Sequence, residues 1–598
     1  MLVTLAALAG GVFVKDAVVT DFGADPTGRQ DSTSAVAQAI AAGGKGSGRI
    51  IFPKGEYHFH RDKGFERTLY LSNSDVVNPR RIAILIEGRR GLNLIGRGAK
   101  LIFHDRVLPL AILQSEEIAL SGFTVDWARP LMSQGKVVES GSDGFTLEID
   151  PNQHPYVVEE GRLFFTDTTW KKRVWSFMEF DPKTKGVEYG TGDGGFTDGE
   201  WWNAAVSEPK PGQVKLTYKC RRFPKVGNIL VARHGSRDHA GAFILDSKNV
   251  TLEKVAFRHT SGLGILSQYS ENLTFREVDV APDPMSGRLY AGHDDGLHFS
   301  NCKGQIFVED CEFQGLMDDP INVHGTSFRV NEILDSGSVR CRFMHGQSVG
   351  LRGGDPGDTI SFIDHETLLS RGLGKIKSLE RHSPEEFTVH FEKRIPYGLR
   401  VGDALENVTW TPDFTVRRTV FGRVRARGLL VSTPGKVLIE DNTFLSSGAA
   451  VLIAGDANGW YESGAVTDIT IRRNQFLDCN TSPYQFGEAV ISVFPEIPKL
   501  ADEPFHKNIR IEDNHFIAFD APLLWAKSVR GLTFRNNEVK SSSAYPPRMK
   551  DRPGLTFIGC QDVKAAPNKF DAGFIGSSVK IEGGRPESIE TGDLPHAR

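Results

Sequence analysis

One phrase recurs along this chain and restricts its fold more than anything else in it. A small or polar turn residue is followed by alternating apolar positions, then an acidic or Asn step, then an aromatic residue or Val. It reads NVTLEKVAF from Asn249, NLTFREVDV from Asn272, GQIFVEDCEF from Gly304, GKVLIEDNTF from Gly435, DITIRRNQF from Asp468, NIRIEDNHF from Asn508 and GLTFRNNEV from Gly531. Alternation with period two marks each copy as a strand with one face buried. The copies close on Phe257, Val280, Phe313, Phe444, Phe476, Phe516 and Val539, so most intervals run from 23 to 40 residues. Strand repeats at such spacing indicate a solenoid or a propeller, and a propeller blade needs four strands in about 40 residues, which the shorter intervals cannot hold. The expected fold is all-β, a right-handed parallel β-helix. Asn442, Asn474, Asn514 and Asn537 hold one place in four copies, so their amides should stack as a hydrogen-bonded ladder.

Two stretches break the rhythm. Between Phe313 and Phe444 the phrase vanishes from about Ser327 to Trp410, and short β-like runs with Gly and Pro turns replace it, as expected of an inserted small β-barrel-like domain. A second interruption, from about Met132 to Val231, carries Trp170, Trp175, Trp201 and Trp202. The inserts either wall a pocket or serve as decoration and oligomer contacts. Upstream, DFGADPTGRQDSTSAVAQAIAAGG predicts a strand, a tight turn and a helix opened by Asp31 as N-cap, with Ala35, Val36, Ala39 and Ile40 as its apolar stripe. That helix would cover the first rung and protect an open solenoid end. The expected division is 1–15 a signal remnant, 16–131 the capped start of the β-helix, 132–231 the first insert, 232–326 the catalytic rungs, 327–410 the second insert and 411–598 the C-terminal rungs and tail.

Composition narrows the partners. At 598 residues the chain exceeds a single compact core, and a net charge of −4 leaves no basic footprint, so no nucleic-acid partner is expected. No run of eighteen apolar residues exists to span a membrane. The six cysteines form no CxxC pair and no metal-finger spacing, and buried free thiols are expected. The start, MLVTLAALAGG, ends an apolar run in Ala7-Leu8-Ala9, which matches a signal-peptidase site without a basic leader. It reads as a clipped signal peptide of a secreted or periplasmic protein, or else as an apolar first strand.

The chemistry concentrates in two acidic couplets, Asp294-Asp295 in HDDGLHF and Asp318-Asp319 in GLMDDPINVHG. From Asp295 to Asp318 is 23 residues, the length of one rung. Carboxylates held that close cannot all ionise cheaply, so at least one should keep its proton, as a general acid requires. Neighbours in an ideal strand face opposite ways, and Pro320 supports a break that lets both members of the second couplet face one side. Asp294 is expected to support its neighbours as a turn cap. Rungs about 4.8 Å apart leave the carboxyl spacing near the boundary between retaining and inverting glycosidases. His293, His298, His324 and the string ARHGSRDHAG with Arg233, His234, Arg237, Asp238 and His239 offer donors for a polar ring. AGDANGWYESG adds Trp460 as a stacking face and Glu462. The couplets lack the alternate-position ligands of a calcium loop, and neither metal nor cofactor is expected.

The opening VVTDFGADPTG, the DDGLH string at 294–298 and the MDDPINVHG string at 317–325 resemble glycoside hydrolase family 110, the α-1,3-galactosidases, over nearly the whole chain. The resemblance implies a β-helix with two small β-barrel inserts and an inverting, metal-independent hydrolysis of terminal α-1,3-galactose on blood-group-B-type or linear glycans. Position by position it implies Asp318 as the acid that protonates the glycosidic oxygen, with Asp295 and Asp319 activating water. Arg237, His293, Asp294, His324, Trp460 and Glu462 are the expected substrate contacts, chosen by location. Alternatives are a polygalacturonase-like hydrolase, which should show an Arg/Lys cluster beside the couplets that the sequence does not display; a β-elimination lyase; and a carbohydrate-binding β-helix without activity. Exposed faces of such solenoids often associate, so a homo-oligomer is the expected assembly.

Overall fold

The computed structural model describes residues 15–44, 48–482 and 487–597. The expected signal remnant therefore lies outside the described residues, save Lys15, where the first strand begins. Each repeated phrase forms strand as its alternation requires. In Lys248–Phe257 the side chains of Val250, Leu252, Val255 and Phe257 turn into the core, and the strand pairs in parallel with Glu116–Trp127 on one side and Glu271–Val280 on the other. Stacked this way, the rungs build a 23-stranded and a 14-stranded sheet around one elongated core, a parallel β-helix.

The closing residues of the phrase form one continuous row, Phe257, Val280, Phe313, Phe421, Phe444, Phe476, Phe516, Val539 and Phe570. Phe421 and Phe570 end two further rungs, whose phrases DFTVRRTVF and VKAAPNKF depart from the repeated pattern. From Phe313 to Phe516 the rings stack at centroid distances of 5.9, 4.3, 5.1 and 4.7 Å. Beside them runs the amide ladder. Asn442 Nδ2 donates to Asn474 Oδ1, Asn474 to Asn514 and Asn514 to Asn537, each at 3.0 Å, and Asn568 extends it by one further step at 3.1 Å.

The helix forms over Thr33–Ala42, with Ala35, Val36, Ala39 and Ile40 buried against the first rungs. Its cap is shifted from the expectation. Ser32 is the N-cap and its side chain makes no capping bond; Asp31, one residue earlier, accepts from Thr33 N at 2.9 Å and from His60 N at 2.7 Å. The carboxylate reaches past Ser32 because it also ties the helix to the strand Glu56–His60.

The first interruption, from Met132–Gly141 to Ile229–Arg233, is an antiparallel seven-stranded sheet with a separate three-stranded one. Phe145, Phe177, Phe196 and Trp201 pack its core. In the second, six strands from Phe328–Asp335 to Ala404–Asn407 close into a barrel around Phe328, Phe343 and Phe387. This barrel leaves the β-helix directly after the strand Ile321–Thr326.

Register at the couplets differs from the sequence expectation. Leu297 pairs with Ile321, and Gly296 N donates to Asp319 O at 2.9 Å. The local repeat is thus 24 residues, so Asp295 stacks on Asp319 and Asp294 on Asp318; Asp295 and Asp318 are diagonal neighbours. Both couplets sit in the turn just before a strand, which frees all four side chains from strict alternation. That turn is tight: a Cβ on Gly296 would stand 2.6 Å from Pro320 O and 2.7 Å from the Phe313 ring.

Candidate active site

The four couplet aspartates open onto a cleft of about 980 Å³. The first insert contributes Trp175, Asp193 and Arg233 to it, and the second contributes Gln347. Trp175 is 52% exposed, its indole N–H is fixed on Gly235 O at 2.9 Å, and the Arg233 guanidinium lies 4.4 Å from its ring centre. Trp460, 44% exposed, is backed by His345 of the second insert at 4.0 Å between ring centres. Each insert thus supplies or supports one aromatic wall, the apolar surface that a sugar ring can stack on.

The aspartates differ by the groups that face them. Asp294 accepts from Arg233 Nη2 at 3.4 Å, faces Arg237 Nε at 3.1 Å and lies 2.9 Å from His293 Nδ1. Burial alone would raise its pKa, yet Arg237, His293 and Arg233 hold it well below the usual carboxylate range. Asp318 accepts from Arg237 Nη2 at 2.6 Å and has Arg425 Nη1 at 3.7 Å. There too burial pushes up and is outweighed, by Arg237, Arg425 and Arg427. Asp319 is gripped by Arg427, from its backbone N at 3.0 Å and from Nη2 at 2.5 Å. Burial, with Asp318 and Asp295 adding repulsion, nevertheless drives Asp319 well above its ordinary value despite Arg427. Asp295 has His298 Nδ1 at 2.7 Å as its hydrogen-bond partner, and burial together with Asp318 raises it well above the carboxylate range. The cluster titrates as a unit. Burial thus pushes Asp295 and Asp319 toward the protonated form, whereas Arg237 holds Asp318, the residue expected to carry a proton, toward the ionised one.

Of the other expected contacts, Arg237, His293, Trp460 and Glu462 line the cleft. His324 lies behind the wall, its Nε2 3.7 Å from Glu462 Oε1 and 2.8 Å from His298 Nε2. Glu462 is brought in by a short antiparallel pairing of Glu462–Ser463 with Gly325–Thr326 and is held by Asn73 Nδ2 at 2.7 Å. His234 is elsewhere, packed between Phe165 and Trp170 and bonded to Ser133 Oγ. Asp238 pairs with Arg106 and His239.

Arginine is where the sequence reading falls short. No basic cluster is visible near the couplets, but Arg233, Arg237, Arg425 and Arg427 all line the cleft. Register explains it: Ile321 pairs with Leu429, which sets Arg427 beside Asp319 and Arg425 beside Met317, across the whole second insert. The phrase DFTVRRTVF, ending at Phe421, is the sequence signal that places them. The cluster is spent on protein carboxylates, with Arg425 on Asp193 and Asp318, Arg427 on Asp319, Arg237 on Asp294 and Asp318, and Arg233 on Asp294. It therefore gives no support to a uronide substrate. Among the described residues, one group with metal-ligand geometry, Asp364, His365 and Asp403, lies in the second insert, and Arg371 and Arg400 already occupy its carboxylates. All six cysteines are buried and free, and no helix of the described residues is long and apolar enough to cross a membrane.

Residues 133–230 match the family described as GLAA-B beta-barrel domain I, and residues 338–405 match GLAA-B beta-barrel domain II. The chain is 43% identical over 584 residues to a protein named alpha-1,3-galactosidase B of Bacteroides thetaiotaomicron, covering 96% of this chain and 94% of that one. It is 35% identical over 595 residues to alpha-1,3-galactosidase A of Bacteroides fragilis, covering 96% of each. Similar solved structures include the adhesin PfbA of Streptococcus pneumoniae, with TM-score 0.40 at 12% identity over 95% of this chain and 93% of that one. Another is a family 28 exopolygalacturonase of Yersinia enterocolitica, with TM-score 0.38 at 10% identity over 93% and 79%.

Proposed function

The chain belongs to the α-1,3-galactosidase family, glycoside hydrolase family 110, and we propose that it releases terminal α-1,3-linked galactose from blood-group-B-type or linear α-galactosyl glycans as an exo-acting, inverting hydrolase. The observation that carries this reading is the buried aspartate cluster at the floor of a cleft walled by both inserts. Walls of that kind suit a chain end better than an open groove. Asp318 protonates the departing glycosidic oxygen, and Asp295 with Asp319 orients and deprotonates the attacking water. Asp294 touches no reacting atom in this scheme; it fixes Arg237, which in turn fixes Asp318.

Protons must be redistributed within the aspartate cluster before the bond breaks. Asp318 needs a proton, and Asp295 and Asp319 must lose theirs. A glycoside seated against Asp318 displaces Arg237 from Asp318 Oδ2, which removes the chief charge that keeps Asp318 ionised and lets it draw a proton from the coupled cluster. Export belongs to the same proposal and rests on the apolar start that ends in Ala7-Leu8-Ala9.

Proton NMR of galactose freshly released from linear and fucosylated α-1,3-galactosides tests the proposal. β-Galactose should appear first and mutarotate later. An initial α-galactose signal would refute inversion, and absence of galactose release from both substrates would refute the substrate class.

A further inference from the structure

Behind the couplets runs a chain of hydrogen bonds that the chemistry above leaves without a role. Asp295 Oδ2 lies 2.7 Å from His298 Nδ1, His298 Nε2 lies 2.8 Å from His324 Nε2, and His324 Nδ1 lies 2.7 Å from the Gly325 carbonyl oxygen. A carbonyl only accepts, so His324 Nδ1 carries a hydrogen. Each of the other two bonds requires one hydrogen and has room for one. Three bonds therefore hold three hydrogens, whereas an Asp carboxylate and two neutral imidazoles supply two. One extra proton is locked in the chain, on Asp295, His298 or His324. Both histidines are sealed from solvent, at 0% and 1% exposure, so the bonds themselves are its route.

We propose that Asp295, His298 and His324 form a proton relay that ionises Asp295 for water activation by moving its proton inward to His324, with Glu462 as the counter-ion. The relay deepens the galactosidase reading and rests on it. Its steps balance. The O–H bond of Asp295 breaks as an N–H bond forms at His298 Nδ1; the N–H bond at His298 Nε2 breaks as one forms at His324 Nε2. The result is an Asp295 carboxylate, a neutral His298 and a His324 imidazolium whose Nε2 stands 3.7 Å from Glu462 Oε1. Asn73 anchors Glu462 there.

The surroundings favour the Asp295 end for that proton. Burial and Asp318 hold Asp295 well above the usual range, and burial with His324 holds His298 well below its own. Glu462 stays ionised: burial would raise it, but His324, His298, the Asn73 bond and Arg427 outweigh that. Arg237, Asp294 and Asp319 also face Asp295, and His345 and Glu496 also face Glu462. His298 and His324 are positioning residues, because both act through Asp295.

The sign of a pH shift separates this from a structural role. As a bare negative charge Glu462 raises Asp295, so Glu462→Gln without a relay would move the acidic limb of kcat/KM to lower pH. Loss of the relay's counter-ion moves it to higher pH, by about one unit. An unmoved limb or a downward shift would overturn the proposal. Should Glu462→Gln turn over too slowly to measure, Asn73→Ala, which removes the Asn73 bonds to Glu462 and Ser72 and keeps the Glu462 charge, should move the limb upward by less, and the same contrary outcomes count against the relay. Neutron diffraction of the deuterium-exchanged full chain, without substrate, should show deuterium on His324 Nδ1 and one in each of the other two bonds. An Asp295–His298 contact without deuterium would overturn the proton inventory. Because that readout needs no substrate, three deuteriums in a protein that hydrolyses no galactoside would indict the substrate reading and leave the inventory standing.

Discussion

Asp294, Asp295, Asp318 and Asp319 are one residue type in two stacked, equivalent turns, and they part company only through what faces them. Asp294 has two arginines and a histidine, Asp318 has Arg237 and Arg425, Asp319 has Arg427, and Asp295 has a histidine held neutral. An arginine at 2.6 Å offsets the desolvation of Asp318; no such partner meets Asp295. Asp318→Asn keeps size and shape but cannot donate an acidic proton. Hydrolysis of an unactivated α-1,3-galactoside should fall by about 10²–10⁴-fold or more, with circular dichroism and melting temperature unchanged. Near-wild-type turnover would remove Asp318 from the acid role. The aspartates were legible because each couplet is contiguous. Trp175 was only one tryptophan among four in its insert, and nothing local distinguishes the one at the cleft from Trp201 in the core.

At the scale of the element, the strand phrase carries its own stabilisation. Asn514 accepts from both Asn474 N and Asn474 Nδ2 at 3.0 Å, and donates from Nδ2 to Ile471 O at 2.9 Å and Asn537 Oδ1 at 3.0 Å. Truncating it leaves several buried polar groups unpaired, each costing about 1–3 kcal/mol. Asn514→Ala should therefore lower unfolding stability by about 3 kcal/mol or more, whereas Asn568→Ala, at the end of the ladder, should cost roughly half as much. Urea unfolding of the two variants tests the ordering, and equal losses would show that the ladder is not cooperative. The phrase also explains the one error of register. It measures 23 residues between Phe257 and Val280, but the couplet rungs repeat at 24, and the extra residue enters at the register shift where Glu271 pairs with Lys303 and Leu273 with Ile306.

On the scale of the whole molecule, burial along one long core fixes how stability responds to pH. His506 is fully buried; its Nδ1 accepts from Val466 N at 3.0 Å, and burial depresses its pKa to about 3. A depressed histidine contributes stability that is present in full above its unfolded value of about 6.5 and is lost as pH falls toward 3. His506→Asn can keep an acceptor for Val466 N but has nothing to titrate. Between pH 6 and 4 the wild-type unfolding free energy should fall more steeply than that of the variant, by about 1.4 kcal/mol per pH unit. Parallel slopes in paired urea titrations would contradict a neutral buried His506.

Sequence alone determined the β-helix, its amide ladder, the two interruptions and the acidic couplets, because each is written in contiguous residues or at a short repeat. Period-two burial and rung stacking are local rules, and a strand repeat that obeys them has few other folds open to it. Tertiary structure decided what the couplets can do. It carried Arg425 and Arg427 across the whole second insert to the aspartates, set Trp175 and Trp460 on the two walls, and buried His298 and His324 behind Asp295. The protonation of a carboxyl depends on burial and on charges within a few ångströms, whatever their distance along the chain. That is why the acid cluster could be found in the sequence and the seat of its protons could not.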